Sequence, residues 1–283
     1  MVETSKGDAG SDGDRLRPAQ AIALGALQGP AELLPISSSG HLVLVPELLG
    51  WSYRELDPEI KKSFEVALHA GTACALLIAL RHEVADALHE LDGARLVRHV
   101  LTFLPPGAAA FLFERRIEER LGSARSVAGA QVVAGVLLAA ADYSPAERDR
   151  ESATARDAVV LGLAQASALA PGVSRNGAIL SAARALRFRR RAANVLSRHA
   201  ALPIILAAAG LKGFRLWRRG MPREIVGSFV LGGLASFGST LVSSRLISIM
   251  DGARSYLPFA AYRVALGGIA SLRLSRQQVK LRA

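Results

Sequence analysis

Two short clusters combine residue types that can handle phosphate. The first runs Gln28-Gly29-Pro30-Ala31-Glu32-Leu33-Leu34-Pro35-Ile36-Ser37-Ser38-Ser39-Gly40-His41. Gln28 and Glu32 are four apart, so on a helix they share one face. A carboxylate inside an apolar stretch is costly to bury. Glu32 therefore reads either as a metal ligand or base, or as a structural acid bonded to neighbouring backbone. The polar loop that follows at once favours the first. Ser37, Ser38, Ser39 and Gly40 can offer hydroxyls and backbone N–H groups to an anion, and His41 can exchange a proton near neutral pH. Taken singly, a serine loop and a lone histidine are more often structural. Next to an acid at a helix break they point to chemistry.

The second cluster is Pro171-Gly172-Val173-Ser174-Arg175-Asn176-Gly177. Arg175 stands between two long apolar runs, where its planar fork could bind phosphate oxygens bidentately. Ser174 and Asn176 add donors. The plainer reading is an arginine tying down backbone carbonyls. Together, one loop offers an acid, hydroxyls and an imidazole, and the other a guanidinium and hydroxyls. That combination suits a phosphate carried on a hydrophobic molecule.

These residues must be positioned by elements buried in lipid. Hydrophobic residues make up 51% of the 283 and charged ones 21%, and the charges cluster between apolar stretches near 19–50, 66–80, 100–113, 126–141, 158–183, 199–211, 225–247 and 256–270. So many nearly uncharged segments in one chain are hard to bury without a membrane. Several are shorter than the ~20 residues that span ~30 Å, and flanking Arg can extend them by snorkelling. In 225–247, Gly227, Gly232, Gly233, Ser236 and Gly238 suit close helix packing.

The stretches 19–50 and 158–183 differ from the rest because Pro35 and Pro171-Gly172 break them. Neither half spans comfortably, so each stretch reads as a broken or re-entrant helix, tolerated at membrane depth only where protein or water covers it. Shifted by 137 residues the two align without a gap. Leu24, Gly25, Gln28, Ala31, Ser37 and Gly40 fall on Leu161, Gly162, Gln165, Ala168, Ser174 and Gly177. Paired broken segments in two halves point to a site at the repeat interface.

The net charge is +11. A basic balance suits nucleic acid, an anionic membrane surface or a phosphorylated ligand. With aromatics at 5% and Arg at the ends of apolar stretches, no nucleic-acid partner is expected. The single Cys74 excludes an internal disulfide and a cysteine-based metal site. Residues 1–17 lack the apolar core of a secretory signal and read as a disordered polar tail, 18–273 as one integral-membrane domain, and 274–283 as a basic tail. The dense run Arg184, Arg187, Arg189, Arg190 and Arg191 reads as a cytoplasmic anchor facing anionic lipid.

The first cluster resembles the signature of the undecaprenyl pyrophosphate phosphatase family, the BacA-type membrane enzymes: Glu or Gln, then Glu four residues later, then Pro-x-Ser-Ser-Ser/Thr-Gly-His. Pro171-Gly172-Val173-Ser174-Arg175 resembles its second motif. Weaker likenesses lie at Ala67-Leu68-His69-Ala70-Gly71-Thr72, Phe111-Leu112-Phe113-Glu114 and Tyr262-Arg263. The resemblance implies an all-α polytopic bundle with two re-entrant helix pairs in an inverted repeat. It also implies hydrolysis of undecaprenyl diphosphate to the monophosphate carrier used in cell-wall synthesis. The enzyme would lie multi-pass in the plasma membrane with its site facing the outer side, and would use a divalent cation, Mg²⁺ or Ca²⁺.

By likeness, Glu32 is the essential acid, Gln28 the permitted alternative at the first position, and Arg175 the phosphate-binding arginine. His41 matches the family histidine and Ser38 a proposed nucleophile. Attack by Ser38, by His41 or by a water activated by Glu32 all stay open. The scheme then has Glu32, with Gln28, holding the cation, and Ser37, Ser39, Ser174, Arg175 and Asn176 holding phosphate. Partners are the polyprenyl diphosphate and membrane lipids, with monomer and homodimer both open.

The chain departs from the family pattern twice. Asn176-Gly177 replaces Ser-Gly, and Ser197-Arg198-His199-Ala200 replaces an apolar Ser-Phe-Leu-Leu. A phosphatase of another polyprenyl diphosphate is therefore an alternative, as is a polyprenyl-phosphate transporter or flippase, since paired broken helices are also a transporter pattern. A phosphatidic-acid-type phosphatase is disfavoured, because no His follows Ser174-Arg175 at the required spacing.

Overall fold

A computed structural model describes residues 16–219 and 223–282. Residues 1–15 of the expected tail lie outside it. Leu16 is buried, and its carbonyl accepts a bond from Ser228 Oγ at 2.7 Å. Among the described residues the regular structure is helical, with one isolated bridge, Arg148 to Phe188.

The first broken stretch forms α1 (Pro18–Leu33) and α2 (Ser38–Leu49). Next come α3 (Pro58–Ala79), α4 (Arg81–His89), α5 (Gly93–Leu121) and α6 (Ala124–Asp142). The second broken stretch forms α7 (Ala155–Ser167) and α8 (Arg175–Ala185), followed by α9 (Arg190–Arg219), α10 (Arg223–Ser243), α11 (Leu246–Asp251) and α12 (Leu257–Arg282). Among the described residues five helices have the length and apolar composition to cross a membrane: α3, α5, α6, α9 and α10. The chain is a multi-pass helical membrane protein.

The long helices outrun the apolar stretches that predicted them. The stretch 100–113 lies inside a 29-residue helix, and 199–211 inside a 30-residue one. A backbone ladder does not stop where charge begins, and at ~1.5 Å per residue these helices exceed ~30 Å. For the same reason α12 runs on to Arg282, so residues 274–282, expected as a tail, are helical.

The two breaks begin differently and end alike, each in a serine cap of positive φ. Leu34, which precedes Pro35, leaves the helix with extended backbone. Ser37 then takes a φ of 75° and caps α2, its Oγ accepting from Gly40 N at 3.2 Å. Ser174, 137 residues on, takes a φ of 62° and caps α8, its Oγ accepting from Gly177 N at 3.1 Å. A positive φ is uncommon outside glycine, and such strain concentrates at functional sites. None of α1, α2, α7 or α8, at 11–16 residues, reaches across ~30 Å alone.

The halves interlock. α1 packs most extensively on α10, and α7 on α5, so the first helix of each broken pair lies against a long helix of the other half. Glycine makes both contacts close. A Cβ on Gly25 would sit 2.8 Å from Ala235 Cβ, and one on Gly162 would sit 2.9 Å from the Leu101 and Thr102 carbonyl oxygens. Of the small residues predicted on α10, Gly232 faces Phe64, Gly233 faces the Ala67 carbonyl, and Ser236 donates to Leu68 O at 2.8 Å. Gly227 and Gly238 have open space beside them and do not serve this packing.

Four of the five arginines of the basic run are paired, and Arg191 is exposed. Arg184 is 1% exposed and donates to the carbonyls of Ser144, Asp142 (3.1 Å) and Phe188. Arg190 pairs with Asp142 at 2.7 Å, Arg187 with Glu147 at 2.6 Å, and Arg189 with Asp149. Apart from Phe188, the partners lie 40 to 48 residues upstream, at the end of α6 and in the connection to α7, so a local reading of charge could not see them.

Candidate active site

The two breaks meet. Arg175, the first residue of α8, pairs with Glu32 Oε1 near the end of α1. Ser38, the first residue of α2, donates to Glu32 Oε2 at 2.8 Å. Ser38 and Arg175 are 137 positions apart, so equivalent places in the two breaks converge on one carboxylate. The Glu32 side chain is 7% exposed and that of Arg175 18%. A carboxylate this buried needs its partners.

Gln28 donates to Glu32 Oε2 at 3.3 Å, one helical turn below. Its Nε2 also lies 3.4 Å from His69 Nδ1 on α3, while its Oε1 is buried without a partner. Among the described residues no three His, Cys, Asp or Glu side chains converge to hold a metal ion. One carboxylate beside an unpartnered amide oxygen is nonetheless the kind of partial set that Mg²⁺ completes with water and substrate phosphates. Glu32 and Gln28 therefore fit a cation shared with substrate, not a cage built by the protein alone.

The other predicted residues are spent largely on holding the breaks. His41 Nδ1 lies 2.7 Å from Ser37 O, and a carbonyl only accepts, so Nδ1 carries the hydrogen. Its Nε2, 2.7 Å from Tyr262 Oη, accepts from that phenol when the ring is neutral. Ser37 Oγ lies 3.3 Å from Ser39 Oγ, and Ser39 accepts from Gly172 N at 3.3 Å, across to the other break. Asn176 donates to Leu33 O at 2.7 Å and accepts from Ser197 Oγ at 2.8 Å. The Ser174 hydroxyl caps α8. The structure thus brings Glu32, Ser38, Gln28 and Arg175 together and places His41 on the α12 side.

Several residues that hold the site went unassigned in the sequence. Arg263 on α12 is fully buried and donates to Pro35 O (3.0 Å) in the first break and to Gly172 O (2.8 Å) and Val173 O (2.9 Å) in the second. Gln131 on α6 donates to Ile36 O at 2.9 Å. Only the likeness at Tyr262-Arg263 and at His69 hinted at such roles. Nothing local marked Gln131.

Glu32, Arg175, Asn176, Ser197 and Arg198 line a small cleft together with Leu33, Leu76, Leu80, Ala201, Leu202 and Ile205. At its rim Arg198 meets Glu83 of α4, outside the spanning helices. Burial works against ionisation of Glu83, but bonds from His199 and Arg198 outweigh it and hold the carboxyl below the ordinary glutamate range.

A multi-pass helical protein with an acid, a hydroxyl and a guanidinium converging at two helix breaks, beside apolar side chains, is a membrane protein built to handle phosphate on a lipid. The comparisons narrow this class. The family model described as bacitracin resistance protein BacA matches residues 21–269. An undecaprenyl-diphosphatase of Thioalkalivibrio sulfidiphilus is 38% identical over 262 residues, covering 88% of this chain and 96% of the relative. One of Chromohalobacter salexigens is 37% identical over 258 residues, covering 87% and 95%. One of Geobacter sulfurreducens is 38% identical over 261 residues, covering 88% and 95%. The chain belongs to the bacitracin resistance protein BacA family.

Proposed function

We propose that this protein is a membrane phosphatase that hydrolyses undecaprenyl diphosphate to undecaprenyl phosphate and inorganic phosphate, recycling the lipid carrier for cell-wall synthesis. The observation that carries the reading is the meeting of Ser38 and Arg175 on Glu32, a carboxylate that, with Arg175, lines a cleft of mixed polar and apolar residues. The polar lining residues take the diphosphate, and the apolar ones take the start of the prenyl tail.

Arg175 exchanges its carboxylate partner for oxygens of the terminal phosphate and neutralises charge as the phosphoryl group transfers. Glu32, released, accepts the Ser38 hydrogen as Ser38 Oγ bonds to the terminal phosphorus and the anhydride P–O bond breaks. Undecaprenyl phosphate leaves, and water then cleaves the phosphoserine to regenerate Ser38 and release phosphate. His41, tied to Ser37 O, orients the loop that presents Ser38. A divalent cation at Glu32 and Gln28 would supply further neutralisation of phosphate charge.

The enzyme sits in the plasma membrane with its site open to the outer side. The two broken pairs form an inverted repeat, a reading supported by the matching caps at Ser37 and Ser174 and by the interlocked packing of α1 on α10 and α7 on α5. The test is phosphate release by purified protein from a panel of polyprenyl diphosphates. Release from the undecaprenyl substrate, abolished by EDTA and restored by Mg²⁺, is expected. A transporter would release none, and undiminished activity in EDTA would remove the metal from the scheme.

A further inference from the structure

Arg198 is a charged residue inside the long helix α9, at the head of the apolar stretch 199–211, and the structure shows what holds it. Its Nε donates to both oxygens of Glu83 at 3.0 and 3.1 Å, and Nη1 and Nη2 donate to the two oxygens of Asp251 at 2.8 and 3.1 Å. Two carboxylates from α4 and α11 thus hold one guanidinium of α9 in a fixed orientation, with its side chain 16% exposed.

Three features distinguish this clasp from an ordinary ion-pair lock. Arg198 lines the same cleft as Glu32 and Arg175. A guanidinium has five N–H groups; three are used here, leaving one on each Nη for a further acceptor. And its chain neighbour Ser197 bonds Asn176, the residue after Arg175, so the two arginines are linked through one short hydrogen-bonded path.

We infer that Arg198 is a second phosphate-binding residue, which takes the phosphate retained on the lipid while Arg175 takes the one that leaves. Glu83 and Asp251 are its positioning residues. The inference rests on the proposed diphosphatase reading. A substrate with two phosphates then meets two guanidinium groups in the lining of one cleft, and a monophosphate satisfies only one of them. The polar lining makes the cleft select diphosphate over monophosphate through binding rather than through the chemical step.

Removing Arg198 alone would strand two carboxylates, so the decisive variant removes the whole clasp: Glu83→Leu, Arg198→Phe and Asp251→Ile together, beside Arg198→Lys. Steady-state hydrolysis of undecaprenyl diphosphate is measured for each, with thermal unfolding in detergent as the control for folding. The triple variant is expected to unfold near the wild-type temperature, with KM raised roughly tenfold or more, the loss of charge-assisted bonds to one phosphate, and kcat within about threefold. Arg198→Lys keeps the charge but not the fork, and is expected to fall between the two. A folded triple variant with wild-type KM overturns the inference and leaves the clasp purely structural. A triple variant that fails to fold shifts the decision to Arg198→Lys, where an unchanged KM overturns it equally. Wild-type protein that hydrolyses no polyprenyl diphosphate would instead overturn the function on which the inference rests.

Discussion

At the scale of single residues, the site is one carboxylate with three donors, Arg175 on Oε1 and Ser38 and Gln28 on Oε2. The substrate must therefore displace part of an existing network rather than enter an open pocket. Arg175→Ala is expected to lower kcat/KM by ~10²-fold or more, the usual loss for one preorganised charge-stabilising donor; phosphate-release kinetics checks it. Ser38→Ala is expected to abolish turnover while leaving the fold intact, and trapping of labelled phosphate on wild-type protein, absent in the variant, is the complementary readout. These residues were legible because their types were wrong for their surroundings: an acid and an arginine inside apolar runs, each beside a Pro or Gly break. His41 was legible as an unusual residue, but its partner was not, since Tyr262 lies 221 positions away. Asn176 read as a phosphate donor, whereas its amide joins α1 to α9.

At the scale of elements, the breaks and the close helix contacts decide where those residues stand. Proline and the 137-residue self-similarity revealed both breaks, and the caps at Ser37 and Ser174 follow the same offset. Helix length was read too short because composition marks where the apolar surface ends, not where hydrogen bonding ends. The packing predicts that Gly25→Val separates α1 from α10, because its side chain would meet Ala235 and the α10 backbone. A cost of ~1–3 kcal/mol is expected from such overpacking, read as a lower unfolding temperature. Gly227→Val, with nothing near its Cβ, is expected to leave that temperature unchanged.

At the scale of the molecule, one arginine from the last helix joins both halves. Arg263 donates to carbonyls of each break and stays wholly buried. Its truncation leaves three carbonyls without that donor, each such loss costing ~1–3 kcal/mol when buried. Arg263→Ala is therefore expected to lower stability and activity together, although the residue touches no substrate in the proposed scheme. No local pattern could show this staple, because it spans about 90 and 230 positions of chain. The central claim is that two distant helix breaks form one phosphate site through Glu32 and Arg175, and a double-mutant cycle on kcat/KM tests it most directly. With Glu32→Gln, Arg175→Ala and the double variant, the account predicts strong non-additivity, the double falling within about threefold of the slower single. Losses that simply multiply would mean that the two residues act independently, and would contradict it.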